Sequence, residues 1–238
     1  MPLIGYFSAG IGRVPHLETF LGAPCQRVRP WRRARLTHIA GWGRKPTADR
    51  ARRYARQAGL PYVSLEDGFL RSLGLGVNGA RCHSLIVDHT GIYYDATCPS
   101  DLETLLVQGR FNDRELERAR DGMERIRRHR LSKYNHAPDR AVLPPREGDR
   151  KRILVVDQTA GDASIEYGLA DADTFQRMLH RAVAENPGAE VVVKTHPDVL
   201  AGKKQGHLTE RARELGCRLL AEDVSPWALL EAVDELPR

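Results

Sequence analysis

No stretch of this sequence approaches the roughly 20 consecutive apolar residues that span a bilayer. The start, Met1-Pro2-Leu3-Ile4-Gly5-Tyr6, has no basic segment leading into a long apolar one, so no secretory leader is expected and a cytosolic chain is the default. Cysteine is scarce and scattered: Cys25, Cys82, Cys98 and Cys217 form no C-x-x-C pair. That argues against a disulfide framework or a zinc site and for reduced, partly buried thiols. There is no G-x-x-x-x-G-K-[ST] phosphate loop, no D-x-D spacing around Asp157, no G-x-S-x-G elbow and no H-E-x-x-H helix. Kinase, nucleoside-triphosphatase, serine-hydrolase and zinc-peptidase chemistries therefore lose their signatures. A nucleic-acid partner is disfavoured too, because no recognised binding motif or aromatic stacking platform accompanies the arginines.

The 238 residues suffice for one large domain or two modest ones. With 37 Lys+Arg against 31 Asp+Glu, the net charge of +6 favours an anionic partner, whether lipid head groups, a polymer or a charged small substrate. Two short β-branched runs, Ile153-Leu154-Val155-Val156 and Val191-Val192-Val193, read as strands buried on both faces. Each runs directly into a polar loop, Asp157-Gln158-Thr159-Ala160-Gly161-Asp162-Ala163-Ser164 and Lys194-Thr195-His196-Pro197-Asp198. Open parallel sheets bind ligands beyond the carboxyl ends of their strands, so the two loops are expected to meet in one cleft.

Ahead of these units, Leu36 to Ala40 reads as a strand, Thr47 as the cap of a helix from Ala48 to Ala58, Gly59 as its end, and Leu60 to Leu65 as the next strand. Leu85 to Asp88 and Gly91 to Tyr94 flank a polar turn and suggest a β-hairpin on an otherwise parallel layout. Ser100-Asp101-Leu102-Glu103 is a capping box, and residues 112 to 130 read as a helix rich in arginine, either a solvated face or a surface for anionic lipid or polymer. The Pro- and charge-rich stretch 137–150 lacks periodicity and marks a domain boundary. Beyond it come a strand at 152–156, a helix near 173–185 with Phe175, Met178, Leu179, Ala182 and Val183 on one face, and a strand at 190–194. Ser225-Pro226 opens a last helix. Serial βα units imply right-handed crossovers and a Rossmann-like sheet.

Several polar clusters carry both a structural and a chemical reading. In Gly41-Trp42-Gly43-Arg44-Lys45-Pro46 the glycines allow backbone to approach an anion beside Arg44, or simply make a turn. In Leu65-Glu66-Asp67-Gly68-Phe69-Leu70-Arg71-Ser72-Leu73-Gly74-Leu75-Gly76 an acid pair at a strand end precedes Arg71, a combination hard to justify by packing alone. Asp157 and Asp162 either face the cleft or serve as turn formers and helix caps. Lys194 and His196 are suited to a phosphate or carboxylate, although isolated histidines are commonly structural.

Taken together, these segments resemble the capsule polysaccharide biosynthesis proteins of the KpsC type, the retaining β-Kdo glycosyltransferases of Gram-negative bacteria. The resemblance runs through Gly10-Ile11-Gly12-Arg13-Val14-Pro15-His16-Leu17, Trp42 to Pro46, Leu65 to Ser72, Gly91-Ile92-Tyr93-Tyr94-Asp95 and Leu131-Ser132-Lys133-Tyr134-Asn135. It continues in Val155 to Thr159, Asp162-Ala163-Ser164 and Lys194 to Asp198. It implies an α/β, GT-B-like arrangement of two Rossmann-like domains: an acceptor-side domain at 1–136, a linker at 137–150, and a partial donor domain at 151–238. The implied donor substrate is CMP-Kdo and the acceptor a lipid-linked Kdo, with no cofactor or metal. The implied location is peripheral, on the anionic cytoplasmic face of the inner membrane beside other capsule assembly proteins.

By the same resemblance Asp162 is the nucleophile of a double displacement; such a transfer needs a separate group for the proton of the incoming hydroxyl, and Glu66 or Asp67 is the candidate for it. Arg44, Arg71, Asp157, Gln158, Ser164, Lys194 and His196 are the implied substrate-binding residues. Family members continue past the position of Arg238, which leads to the expectation that the donor domain is incomplete here and the chain an amino-terminal fragment. Two alternatives stand beside this reading: a non-catalytic fragment that binds acceptor lipid or saccharide, and a nucleotide-binding α/β protein with another anionic substrate.

Overall fold

The structure, a computed structural model, describes residues 2–29, 35–74, 79–140, 143–196, 199 and 202–237. The chain divides into two compact units, Met1–Asn135 and His136–Arg238. In the first, β1 (Ile4–Tyr6), α1 (Leu17–Leu21), β2 (Cys25–Arg27), β3 (His38–Trp42), α2 (Asp49–Ala58), β4 (Tyr62–Asp67) and β5 (Leu85–Asp88) precede two helices, α3 (Asp101–Gln108) and α4 (Asp113–Arg128). The sheet order is β2-β1-β3-β4-β5, parallel except for β5, which runs antiparallel to β4.

Alternation along the strands places a core on each side of this sheet. Ile4, Ala40, Val63 and Leu65 pack with Ile11, Leu17 and Leu21 on one face, and Ile39 packs with Ala51 and Ala55 of α2 on the other. Gly59, at φ +63°, ends α2 in the left-handed conformation expected of a helix-terminating glycine.

Two local expectations are corrected. Thr47 does not cap α2: Pro46 starts a 3₁₀ turn over Pro46–Ala48, so the threonine already lies inside helical backbone, and α2 begins at Asp49 without a side-chain cap. The segment Gly91 to Tyr94 forms no strand. Asp88 is buried, and its carboxylate accepts the amides of Thr90 (2.9 Å), Gly91 (2.7 Å) and Asp101 (3.1 Å). Those bonds turn the chain toward α3 instead of back along β5. The antiparallel element exists, but its partner is β4.

Helix ends follow the sequence closely. Ser100 accepts the Glu103 amide at the start of α3, and Asn112 with Glu115 forms a reciprocal capping box on α4. Neither helix has a buried residue, and Leu105, Leu106, Val107, Phe111, Leu116 and Met123 are exposed around them. Among the described residues no helix is long and apolar enough to cross a membrane.

The second unit contains β6 (Arg152–Val156), α5 (Ala163–Tyr167), α6 (Ala172–Ala184), β7 (Glu190–Lys194), α7 (Thr209–Glu214), β8 (Arg218–Leu220) and α8 (Pro226–Glu231). Its three strands are parallel in the order β6-β7-β8. Ile153, Val155, Val191 and Val193 pack against Leu179, Ala182, Leu208 and Ala212, while Leu154, Val192 and Leu220 pack against Val224 and Leu229. A strand covered on both faces needs apolar residues at successive positions, which is why these runs do not alternate with polar ones. The outer edge of β6 is closed by the chain itself: Leu154 donates to the Glu235 carbonyl and Asp234 to the Arg152 carbonyl, both at 2.9 Å.

The stretch 137–150, apart from Ala141 and Val142, which lie outside the described residues, makes contacts within this unit. The Pro138 carbonyl accepts from the Ser225 amide at 3.0 Å, Arg146 pairs with Asp234 at 2.7 Å, and Arg152 donates to the Pro144 carbonyl at 2.6 Å.

The fully buried Leu179 sets a scale for this packing. Leu179→Ala is expected to lower stability by about 2–5 kcal/mol in a denaturant titration. Leu106→Ala, at a position 75% exposed, is expected to stay within about 0.5 kcal/mol of the parent.

Candidate functional site

At the carboxyl end of the first sheet, β3 runs into the Gly41-Trp42-Gly43-Arg44-Lys45 turn and β4 into Glu66-Asp67-Gly68. Gly43 takes φ +38°, and a Cβ there would lie 2.2 Å from the Tyr94 hydroxyl oxygen. The close approach is used: the Arg44 amide donates to that oxygen at 2.9 Å. Arg44 Nε pairs with Asp95 Oδ2 at 2.5 Å, and its guanidinium also reaches Cys98 Sγ at 3.2 Å. Burial by itself raises the Asp95 pKa, but the Thr97 hydroxyl and amide together with Arg44 outweigh it and hold the carboxyl below the usual aspartate value.

The acid pair is engaged as well. Glu66, 7% exposed, accepts from Lys45 Nζ and from the Asp67 amide, both at 3.1 Å. Asp67 Oδ1 lies 2.8 Å from Arg71 Nε in an ion pair that lacks hydrogen-bond alignment. Arg71 also donates to the Ser72 hydroxyl at 2.9 Å and the Ala80 carbonyl at 3.2 Å. Backbone bonds from Arg71 and Ser72 to the Lys133 carbonyl, and from Asn135 to the Leu73 carbonyl, tie two distant sequence segments into one loop cluster. Leu75 and Gly76 lie outside the described residues.

At the carboxyl end of the second sheet the loops after β6 and β7 do lie together, as adjacent parallel strands require. Asp157 is the junction. Only 1% exposed, its carboxylate accepts the amides of Gln158 (2.9 Å), His207 (3.0 and 3.1 Å to its two oxygens) and Leu208 (3.2 Å), while its own amide donates to the Lys194 carbonyl at 3.0 Å. Asp157 therefore organises backbone, and Gln158 beside it is exposed.

Asp162 caps α5. One of its oxygens accepts both the Ser164 amide at 2.9 Å and the Ser164 hydroxyl at 2.8 Å, which fixes the rotamer of a half-buried carboxylate and gives Ser164 an orienting role. Lys194 is half-buried at the end of β7 and donates to the Thr195 carbonyl at 2.8 Å. Burial holds its ammonium below the ordinary lysine value, with Asp223 offsetting part of that shift. His196 is half-buried in the same loop, and Pro197 and Asp198 lie outside the described residues. Among the described residues no group of three or more His, Cys, Asp or Glu side chains is placed to hold a metal ion.

The structure thus gathers Asp157, Gln158, Asp162, Ser164, Lys194 and His196 at the edge of one sheet, and Arg44, Glu66, Asp67 and Arg71 at the edge of the other. Sequence reasoning assigned no role to Tyr94, Asp95, Asp223 or His207. Their partners lie far along the chain, 50 and 51 residues for Tyr94 and Asp95 with Arg44, 50 for His207 with Asp157 and 87 for Asp223 with His136, so spacing in the sequence does not pair them. A cavity of about 340 Å³ at the opposite end of the second sheet, lined by Arg150, Glu190, Cys217 and Arg218, contains none of the expected residues.

Residues 37–143 and 140–237 match the sequence profile of a family described as "Capsule polysaccharide biosynthesis protein". The chain is 47% identical over 232 residues to "Capsule polysaccharide modification protein LipA" of Neisseria meningitidis serogroup A, covering 96% of this chain and 32% of that protein. It is 41% identical over 190 residues to "Lipopolysaccharide-processing protein LpsZ" of Rhizobium meliloti, covering 78% of this chain and 43% of that one. It therefore spans less than half the length of these curated relatives. Among solved structures it is similar to Thermosulfurimonas dismutans KpsC, beta Kdo 2,4 transferase, with TM-score 0.88 and 45% identity over 99% of this chain and 73% of that one. The same organism's KpsC, beta Kdo 2,7 transferase, gives TM-score 0.65 and 27% identity over 99% and 72%.

Two outcomes follow from this geometry. Because the folded-state pKa of Asp95 is depressed, its contribution to stability is present above the ordinary carboxylate range and is lost as pH falls through the lower folded value. The stability gap between the parent and Asp95→Asn is therefore expected to narrow below about pH 4, as read by chemical denaturation across pH. Asp157→Ala leaves buried amides without an acceptor and is expected to lower stability by about 2–5 kcal/mol, whereas Gln158→Ala at the exposed neighbour is expected to change it little in the same assay.

Proposed function

The chain belongs to the capsule polysaccharide biosynthesis family, and on that premise we propose that it carries a glycosyltransferase activity moving Kdo from CMP-Kdo to a lipid-linked Kdo acceptor with retention. The observation that carries the reading is the match to the KpsC beta Kdo 2,4 transferase over nearly the whole chain. The weaker likeness to the 2,7 transferase favours the 2,4 linkage for this chain. We read the fold as GT-B-like, with the second unit as part of the donor domain.

In the proposed mechanism Asp162 is the nucleophile. Retention by double displacement needs an ionised carboxylate held against the anomeric carbon and a separate group for the acceptor proton. The two Ser164 donors hold the Asp162 carboxylate in one orientation, which suits attack that displaces CMP and forms a bond from the carboxylate oxygen to the anomeric carbon. The acceptor hydroxyl then displaces Asp162, and its proton passes to Glu66 or Asp67. Lys194 and His196 act as counter-charges for the phosphate and the Kdo carboxylate. Arg44 and Arg71, paired with Asp95 and Asp67, shape the first unit's loops and are proposed to bind substrate there. No cofactor is required by this chemistry.

We further propose peripheral contact with the anionic cytoplasmic face of the inner membrane, beside other capsule assembly proteins. The arginines of α4 and the exposed Leu105, Leu106, Val107 and Phe111 support it, since basic clusters gain about 1 kcal/mol per charge near an acidic leaflet. The competing reading is a non-catalytic module that recognises only the acceptor.

The test uses Asp162→Asn, because asparagine keeps the helix cap. The parent chain, incubated with CMP-Kdo and a synthetic Kdo-terminated lipid, is expected to add one Kdo in 2,4 linkage, read by mass spectrometry and NMR. Asp162→Asn is expected to lose transfer by at least about a hundredfold with an unchanged melting temperature. Retained transfer in that variant would remove the nucleophile role, and no CMP binding by the parent would favour the acceptor-binding module.

A further inference from the structure

The loop that follows β7 does not stay over its own strand. After Gly202, at φ +67°, it folds back across the loop that follows β6. Thr159 and Gly206 form an isolated antiparallel bridge, and the Ala160 amide donates to the Gln205 carbonyl at 2.8 Å. Asp157 then takes the amides of His207 and Leu208. Steric fit closes the arrangement, because a Cβ on Gly206 would lie 2.3 Å from Asp157 Oδ2. Residues 205–208 are therefore fixed against the loop that leads to Asp162.

Lys204 is the side chain immediately before this fixed segment. Its ammonium donates to the Thr159 hydroxyl at 3.5 Å, three residues from Asp162. Lys204 is exposed, and among the described residues it forms no ion pair with a carboxylate. That separates it from Arg44, Arg71, Arg152 and Arg218, each of which is paired with an acid. A cation that adjoins this anchored segment and reaches the loop leading to Asp162, with its charge uncommitted, is suited to an oxyanion that must sit next to that carboxylate.

We propose that Lys204 binds the phosphate of the nucleotide-sugar donor at the Asp162 site, an inference that rests on the glycosyltransferase reading. In the donor the phosphate oxygen is attached to the carbon that Asp162 attacks, so the phosphate must lie within a few ångströms of the 157–162 loop. Lysine acts there as a compact point charge. Prior anchoring of the adjoining residues 205–208 reduces the ordering lost on binding.

The test is calorimetric titration of the whole chain with CMP, and with cytidine as the phosphate-free control, at low salt. Lys204→Ala is expected to weaken CMP binding about tenfold, or 1.4 kcal/mol, with cytidine behaviour and melting temperature unchanged. The deficit is expected to shrink as salt screens the charge, and Lys204→Arg to stay within about threefold of the parent. If Lys204→Ala binds CMP as tightly as the parent, the assignment is overturned and the glycosyltransferase reading stands. An equal loss toward CMP and cytidine would also overturn it, by marking a structural role. Absence of CMP binding by the parent would overturn both.

Discussion

The second unit depends on one buried carboxylate. Asp157 directly follows β6, where the regular ladder of the parallel sheet ends, and amides from two sides converge on it. A buried acceptor with several donors stabilises a loop that has no regular ladder of its own, and loss of that acceptor leaves the donors buried and unpaired. Through this side chain the loop carrying Asp162 and the segment preceding α7 become one rigid piece. In the proposed mechanism that bracing keeps Asp162 aligned, since a reacting group displaced by an ångström loses much of its advantage.

The first unit solves a related problem with ion pairs instead. Its turn after β3 is held by Arg44 against Asp95 and by the Tyr94 hydroxyl, and its turn after β4 by Lys45 on Glu66 and Arg71 on Asp67. Two of the cations that look like ligands for an anion in the sequence are thus partnered within the protein. Pairing of this kind keeps arginine side chains ordered and directs their remaining donors, so shaping a loop and meeting a substrate are compatible tasks for one residue.

Charge and apolar exposure separate in the first unit as well. Its core lies along β1, β3 and β4, while α4 carries the arginine-rich surface and α3 with the turn after it leaves Leu105, Leu106, Val107 and Phe111 in solvent. Both helices have well-formed amino-terminal caps, at Ser100 and at Asn112.

Much of the architecture was legible in the residues. The apolar runs at 153–156 and 191–193 read as strands covered on both faces, and Gly59, Ser100, Asn112 and Ser225-Pro226 marked helix ends, because burial, periodicity and capping act over a few residues. The placement of Asp162 in the loop after β6 and of Lys194 at the end of β7 followed from the same local rules. What tertiary structure alone decided was where polar groups find partners: Asp157 with amides 50 residues away, Arg44 with Asp95, and Asp88 turning the chain out of the expected hairpin. A carboxylate in a sequence does not reveal which distant amide it will accept. That choice is made when the loops pack and water is excluded, so the strands were determined locally and the site was determined by the fold.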